Sequence, residues 1–127
     1  MEATFVLVCQ VILAVIFIWA GIVKLSKSKE DLLKKVSWAE DYNQQTIKLF
    51  GWLELLGGLG VILPLVFGSY LWVVPMSCMG LAMVMAGAMV VHLRREELSL
   101  AMLNIFLLFM SAGVSFYRLL ELDLNWL

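Results

Sequence analysis

The sequence predicts an all-α integral membrane protein, a four-transmembrane-helix bundle with a short amphipathic surface helix between spans 1 and 2. Three observations carry that prediction. Of 127 residues, 63% are hydrophobic and only 15% are charged, and the mean hydropathy is +0.96. A soluble domain of 14.3 kDa has too little polar surface to cover that much apolar chain. The apolar residues, about eighty, also match four spans of roughly twenty each. Finally, they fall in four runs, and the residues left over are too few for a second domain. Residues 1–127 therefore read as one membrane domain.

The first span covers Ala3 to Leu25, long enough to cross with some tilt. It has no basic segment ahead of it and no small-x-small cleavage site, so it reads as a retained span rather than a signal peptide. Ile47 to Phe67 forms the second span and contains one acid, Glu54. After the short Gly68-Ser69 connection, Tyr70 to His92 forms the third. The fourth covers Leu100 to Tyr117, beyond the charged link Arg94-Arg95-Glu96-Glu97. Pro64 and Pro75 lie near span ends, where a missing backbone donor costs least.

Ser26 to Thr46 is the only extended polar stretch. Ser28 followed by Asp31 resembles a helix cap, after which Leu32, Leu33, Val36 and Trp38 make an apolar stripe. The expected element is a short helix on the membrane surface, with Trp38 and Tyr42 as interfacial anchors. The competing reading is an irregular solvated loop.

Four spans put both chain ends on one side and the two charged links on the other. Lys24, Lys27, Lys29, Lys34, Lys35, Lys48, Arg94 and Arg95 belong to the link side, against Arg118 alone on the terminal side. Because positively charged loops stay in the cytoplasm, both termini are expected to be non-cytoplasmic in an inner cell membrane. A net charge of −1 gives no footing for nucleic acid. Cys9 and Cys78 form neither a CxxC motif nor a Cys/His cluster, so no metal site is expected. Inert packing is the better reading of both.

Polar residues inside spans carry the functional information, since each is costly unless paired. Glu54 lies about eight residues from the link side, roughly 12 Å deep at 1.5 Å per residue, and must face the bundle interior, either charged and paired or protonated and donating an interhelical hydrogen bond. Gly51 and Gly58 share its face and allow a neighbouring backbone to approach. Lys24, at the link-side end of span 1, either snorkels to the headgroups or bends inward as the counter-ion of Glu54. His92 closes span 3 at the same membrane face, and Asn104 sits about a turn into span 4. Lys24, Glu54, His92 and Asn104 thus fall in one leaflet, one from each helix. They are expected to form a polar cluster in the core, open or nearly open to the cytoplasmic face. Asn104, Ser111, Ser115 and Arg118 also make a polar stripe that should face other helices. Met76, Met79, Met83, Met85 and Met89 read first as lipid-facing or core filler, and otherwise as adaptable walls for an apolar ligand.

The same positions carry a resemblance. Ala20-Gly21-Ile22-Val23-Lys24-Leu25 resembles the first-span motif of the DoxX-like family, and Trp38-Ala39-Glu40-Asp41-Tyr42 the segment before its second span. Phe50-Gly51-Trp52-Leu53-Glu54-Leu55-Leu56-Gly57, on to Leu63-Pro64, is similar to that second span. His92-Leu93-Arg94-Arg95 matches the end of the third span and Asn104 the asparagine of the fourth. Asn43-Gln44-Gln45 departs from the pattern, where relatives often carry proline. The resemblance implies a four-helix membrane bundle. It also implies a range of roles: small subunits of quinone-linked sulfur oxidoreductases, members of oxidative-stress complexes, and receptor-assembly chaperones.

Residues and resemblance together lead to an accessory or assembly factor, or a binder of a small amphiphile through the polar cluster. One alternative is the membrane subunit of a quinone-linked oxidoreductase complex; another is a small-molecule transporter working as an oligomer. No catalytic residue is assigned, and no activity of its own is expected. No intrinsic cofactor is implied, while quinone or lipid remains as a bound ligand. The expected partners are the lipid bilayer and either a membrane protein or a second copy of the chain.

Overall fold

Each apolar run becomes one long helix in the structure, a computed structural model that describes residues 2–126, the last four by their backbone alone. These helices are α1 (Glu2–Ser26), α3 (Gln44–Phe67), α4 (Val73–Arg94) and α5 (Leu98–Trp126), with the short α2 (Lys29–Leu33) between the first two. All four long helices are of a length and apolarity that cross a bilayer, which makes this a multi-pass membrane protein with lipid around its outer faces. α5 continues well past the expected end at Tyr117. Nothing there breaks the helix, and Arg118 and Glu121 pair one turn apart at 2.7 Å.

The surface helix is present but shorter than the apolar stripe suggested. Ser28 caps it, its Oγ accepting from the Asp31 amide at 3.3 Å. Helix α2 ends at Leu33, Val36 is extended, and the chain turns again in a 3-10 turn over Ser37–Asp41. Leu32 and Ala39 pack on Ile47, which breaks the stripe because two short turns, not one helix, now face the bundle. Trp38 and Tyr42, expected as interfacial anchors, are both half-buried. They turn inward, Tyr42 meeting Trp38 and Phe50 edge to face with ring centroids 6.1 and 5.3 Å apart.

Helix packing divides the bundle into two pairs, α1 with α3 and α4 with α5. Glycine sets the first. A Cβ on Gly21 would lie 2.7 Å from the Gly51 carbonyl oxygen, and one on Gly58 would lie 2.9 Å from Ile18 Cγ1. Only bare backbone fits there, so the helices cross in near contact. Between the pairs, α3 meets α4 where Leu81 fills the space over Gly57 and the Ser77 hydroxyl occupies the notch at Gly60. α1 and α5 touch more narrowly.

Leu13, Phe17, Val61, Val74, Cys78, Leu81, Leu107 and Val114 fill the apolar core. Toward the terminal side polar bonds join all four long helices. Gln10, fully buried, donates from Nε2 to the Val61 carbonyl at 3.1 Å and accepts from Arg118 Nε at 2.7 Å. Ser115 donates to the Pro75 carbonyl at 2.9 Å. The α5 stripe of Asn104, Ser111, Ser115 and Arg118 does face the other helices. Gly68 ends α3 in the left-handed conformation, and Glu96 takes the same unusual region (φ 59°) in the turn before α5.

Candidate functional site

Four helices each bring one polar group to the link-side half of the core. Lys24, near the end of α1, turns inward because Gly51 leaves room for its stem. A Cβ there would stand 2.9 Å from Lys24 Cβ. Its ammonium donates to Glu54 Oε2 at 2.7 Å, and the two side chains are only 14% and 7% exposed. The Trp38 ring lies over the same ammonium, 5.6 Å from its centroid. Lys24 is thus the counter-ion of Glu54 rather than a snorkelling residue.

His92, on the last turn of α4, is buried and bonds through Nδ1 to Glu97 Oε1 at 3.1 Å. Facing a carboxylate, Nδ1 carries the proton, which leaves Nε2 as the second face of the ring. Asn104 of α5 is likewise buried, and its Nδ2 has no hydrogen-bond partner among the described residues. Lys24, Glu54, His92 and Asn104 line a single cavity of about 520 Å³. The structure bonds only the first two to each other; His92 and Asn104 stand on the opposite helix pair.

The cavity occupies the space between the pairs. Its walls are apolar, with Phe17, Phe50, Met85 and Leu107 around the polar groups. Leu53 and Met83 line it and yet are 46% and 71% exposed, so it reaches the seam between α3 and α4. Ile16, Ala20 and Leu103 border it at the seam between α1 and α5. At the link side Trp38 and Tyr42 form a partial cover over it.

Salt bridges and a hydroxyl hold this cover down. Ser37 Oγ donates to Glu97 Oε2 at 2.8 Å. Arg95 binds Asp41 at 2.6 Å, Glu40 at 2.9 Å and, through Nε, Glu97 at 3.1 Å. Hydrogen bonds from His92 first, and then Ser37, hold the Glu97 carboxyl below the usual carboxylate range. Hydrogen bonds to Glu40 and Asp41 raise the already high pKa of Arg95 further. Nearby, the Lys35 ammonium lowers the pKa of Lys27.

Sequence reasoning missed Gln10, Arg95 and Glu97 as parts of the polar framework. Gln10 had a signal, being the sole amide in the apolar run Ala3 to Leu25. The ties of Arg95 and Glu97 to Ser37, Glu40 and Asp41 had none, since those partners lie more than fifty residues away. Of the methionines, Met83 and Met85 line the cavity, whereas Met76 and Met79 are exposed on the outer face. Cys9 and Cys78 are free thiols, the second fully buried. Among the described residues, no group of three His, Cys, Asp or Glu side chains is placed to hold a metal.

A four-span membrane bundle, split into two helix pairs around a polar-headed cavity, is the class of protein this geometry defines. The chain belongs to the DoxX-like family, whose family model matches residues 8–114. No curated protein and no solved structure matched the chain in the corresponding searches.

Proposed function

We propose that this protein binds a small amphiphile drawn from the bilayer. The polar head lies among Lys24, Glu54, His92 and Asn104, and the tail lies against Phe17, Met83, Met85 and Leu107. The cavity carries the proposal, since about 520 Å³ falls within the range of small-molecule sites and its polar groups converge from all four helices. Its contact with the seams supports loading from the membrane rather than from water. Quinone and membrane lipid both fit this description. The eight-to-one division of basic residues further supports an inner-membrane setting with both termini outside the cytoplasm.

Native mass spectrometry of the purified protein tests the binding. Wild type should carry a bound molecule of lipid or quinone mass, and Ala88→Phe, which fills the cavity wall, should lose it with helicity intact. Identical spectra for the two proteins would overturn the proposal. Tags on either terminus that report a cytoplasmic location would overturn the orientation.

A second reading, docking of a membrane partner or a second copy on α4, is favoured by Gly80 and Gly87. Nothing stands within 4 Å of where a Cβ would project from either, so a neighbouring helix could approach closely at both, although Gly87 also borders the cavity. Gly80→Leu should then abolish co-purification of the partner, or shift a dimer to monomer, while leaving cavity occupancy unchanged.

A further inference from the structure

We infer that the head of the bound molecule is uncharged and presents a carbonyl oxygen to Asn104. This rests on the cavity-binding proposal and narrows it to a chemical class. Two observations carry it, one for the carbonyl and one for the absence of charge. The first is the amide of Asn104, which is 8% exposed, lines the cavity and leaves Nδ2 without an acceptor among the described residues. A buried donor left unmatched is destabilising, and a ligand that supplies an acceptor removes that cost. A carbonyl oxygen, a strong neutral acceptor, does so without bringing a charge into the bilayer core.

The second observation is the charge balance around the head. Lys24 and Glu54 already neutralise each other at 2.7 Å, and the Trp38 face covers the ammonium. An anionic head would meet the Glu54 carboxylate, and a cationic head would meet Lys24. Neither finds a free counter-ion among the lining groups, because Lys24 and Glu54 are paired with each other and His92 is tied through Nδ1 to Glu97. A charged head would therefore carry its full desolvation penalty inward. Neutral heads escape it. The apolar walls, meanwhile, accept a hydrocarbon chain without distinguishing its length closely.

The test uses delipidated full-length protein in detergent and three probes of matched chain length: a medium-chain methyl ketone, the carboxylate and the primary amine. Occupancy is read by native mass spectrometry across a concentration series. The ketone should bind at least about tenfold more tightly than either charged probe, a factor that corresponds to about 1.4 kcal/mol. Asn104→Leu should weaken the ketone about tenfold and, with no ligand present, raise the Tm, because it deletes the unmatched donor. Asn104→Val, which also removes the donor and adds no charge, should weaken the ketone as much. Preference for the carboxylate or amine, or a ketone affinity unchanged in both variants, would overturn the assignment while leaving a binding cavity. Failure of all three probes, with no co-purified molecule in wild type, would remove the binding proposal itself.

Discussion

Single residues decide the electrostatics of the core. The Lys24–Glu54 pair stands at 2.7 Å with both side chains almost wholly withdrawn from solvent. Lys24→Met would strand a carboxylate in the bundle and should cost roughly 3–5 kcal/mol. Adding Glu54→Gln should recover much of that loss, because no orphan charge remains. The measurement is a double-mutant cycle on thermal stability in detergent, and a coupling energy of zero would remove the pair from the account. Glu97 behaves differently, since it lies outside the spans. Its carboxyl is held below its ordinary value of 4.5 by His92 and Ser37, so its contribution is complete above that value and disappears as pH falls through the depressed one. Hydrogen exchange over Ser37 to Asp41, corrected for intrinsic rate, should stay flat from neutral pH to about 4.5 and rise below it. Glu97→Gln should exchange fast at neutral pH and show a smaller acid step. An identical profile in both proteins would remove Glu97 as the source of the step.

At the scale of elements, glycine contacts matter more than side-chain packing. Gly21 faces the Gly51 carbonyl, and backbone cannot move aside as a flexible side chain can. Gly21→Ala should force α1 from α3, cost about 1–3 kcal/mol as overpacking does, and disturb the Lys24–Glu54 geometry one turn away. Gly113→Ala, with nothing within 4 Å of its new methyl, should be close to neutral. Comparing melting temperatures of the two variants checks the assignment. The elements also show how far the sequence could be read. Four spans and the face of Glu54 followed from hydropathy and helical spacing alone, because bilayer thickness imposes length and burial cost imposes direction. That Lys24, Glu54, His92 and Asn104 come to the same half of the bundle followed from chain direction, whereas the cavity between them did not. The segment after Ser26 was less legible. Its local pattern reads as one helix, but its conformation is set by Arg95, Glu97 and Ile47, residues distant in the chain. No window along the sequence contains those partners. Gln10 was legible as a lone amide but not as a partner, since its role depends on a carbonyl of α3 and a guanidinium of α5.

The molecule as a whole is two helix hairpins lying side by side. On the terminal side they are joined covalently through Gly68 to Trp72 and non-covalently where Gly57 and Gly60 receive α4. On the link side their connection is the set of ties from Ser37, Glu40 and Asp41 to Arg95 and Glu97. This arrangement is that of a clothes-peg, with its pivot at one membrane face, its clasp at the other and the cavity between the jaws. Arg95 is 19% exposed and its partners more so, and such surface pairs add little to global stability. Their leverage is nonetheless large, because they act at the end farthest from the pivot. Arg95→Ala should therefore barely change the Tm, yet speed release of a bound amphiphile, as measured by exchange into empty vesicles. The residue that governs how long a ligand stays would then lie outside both the cavity and the membrane, at the face where other molecules can reach it.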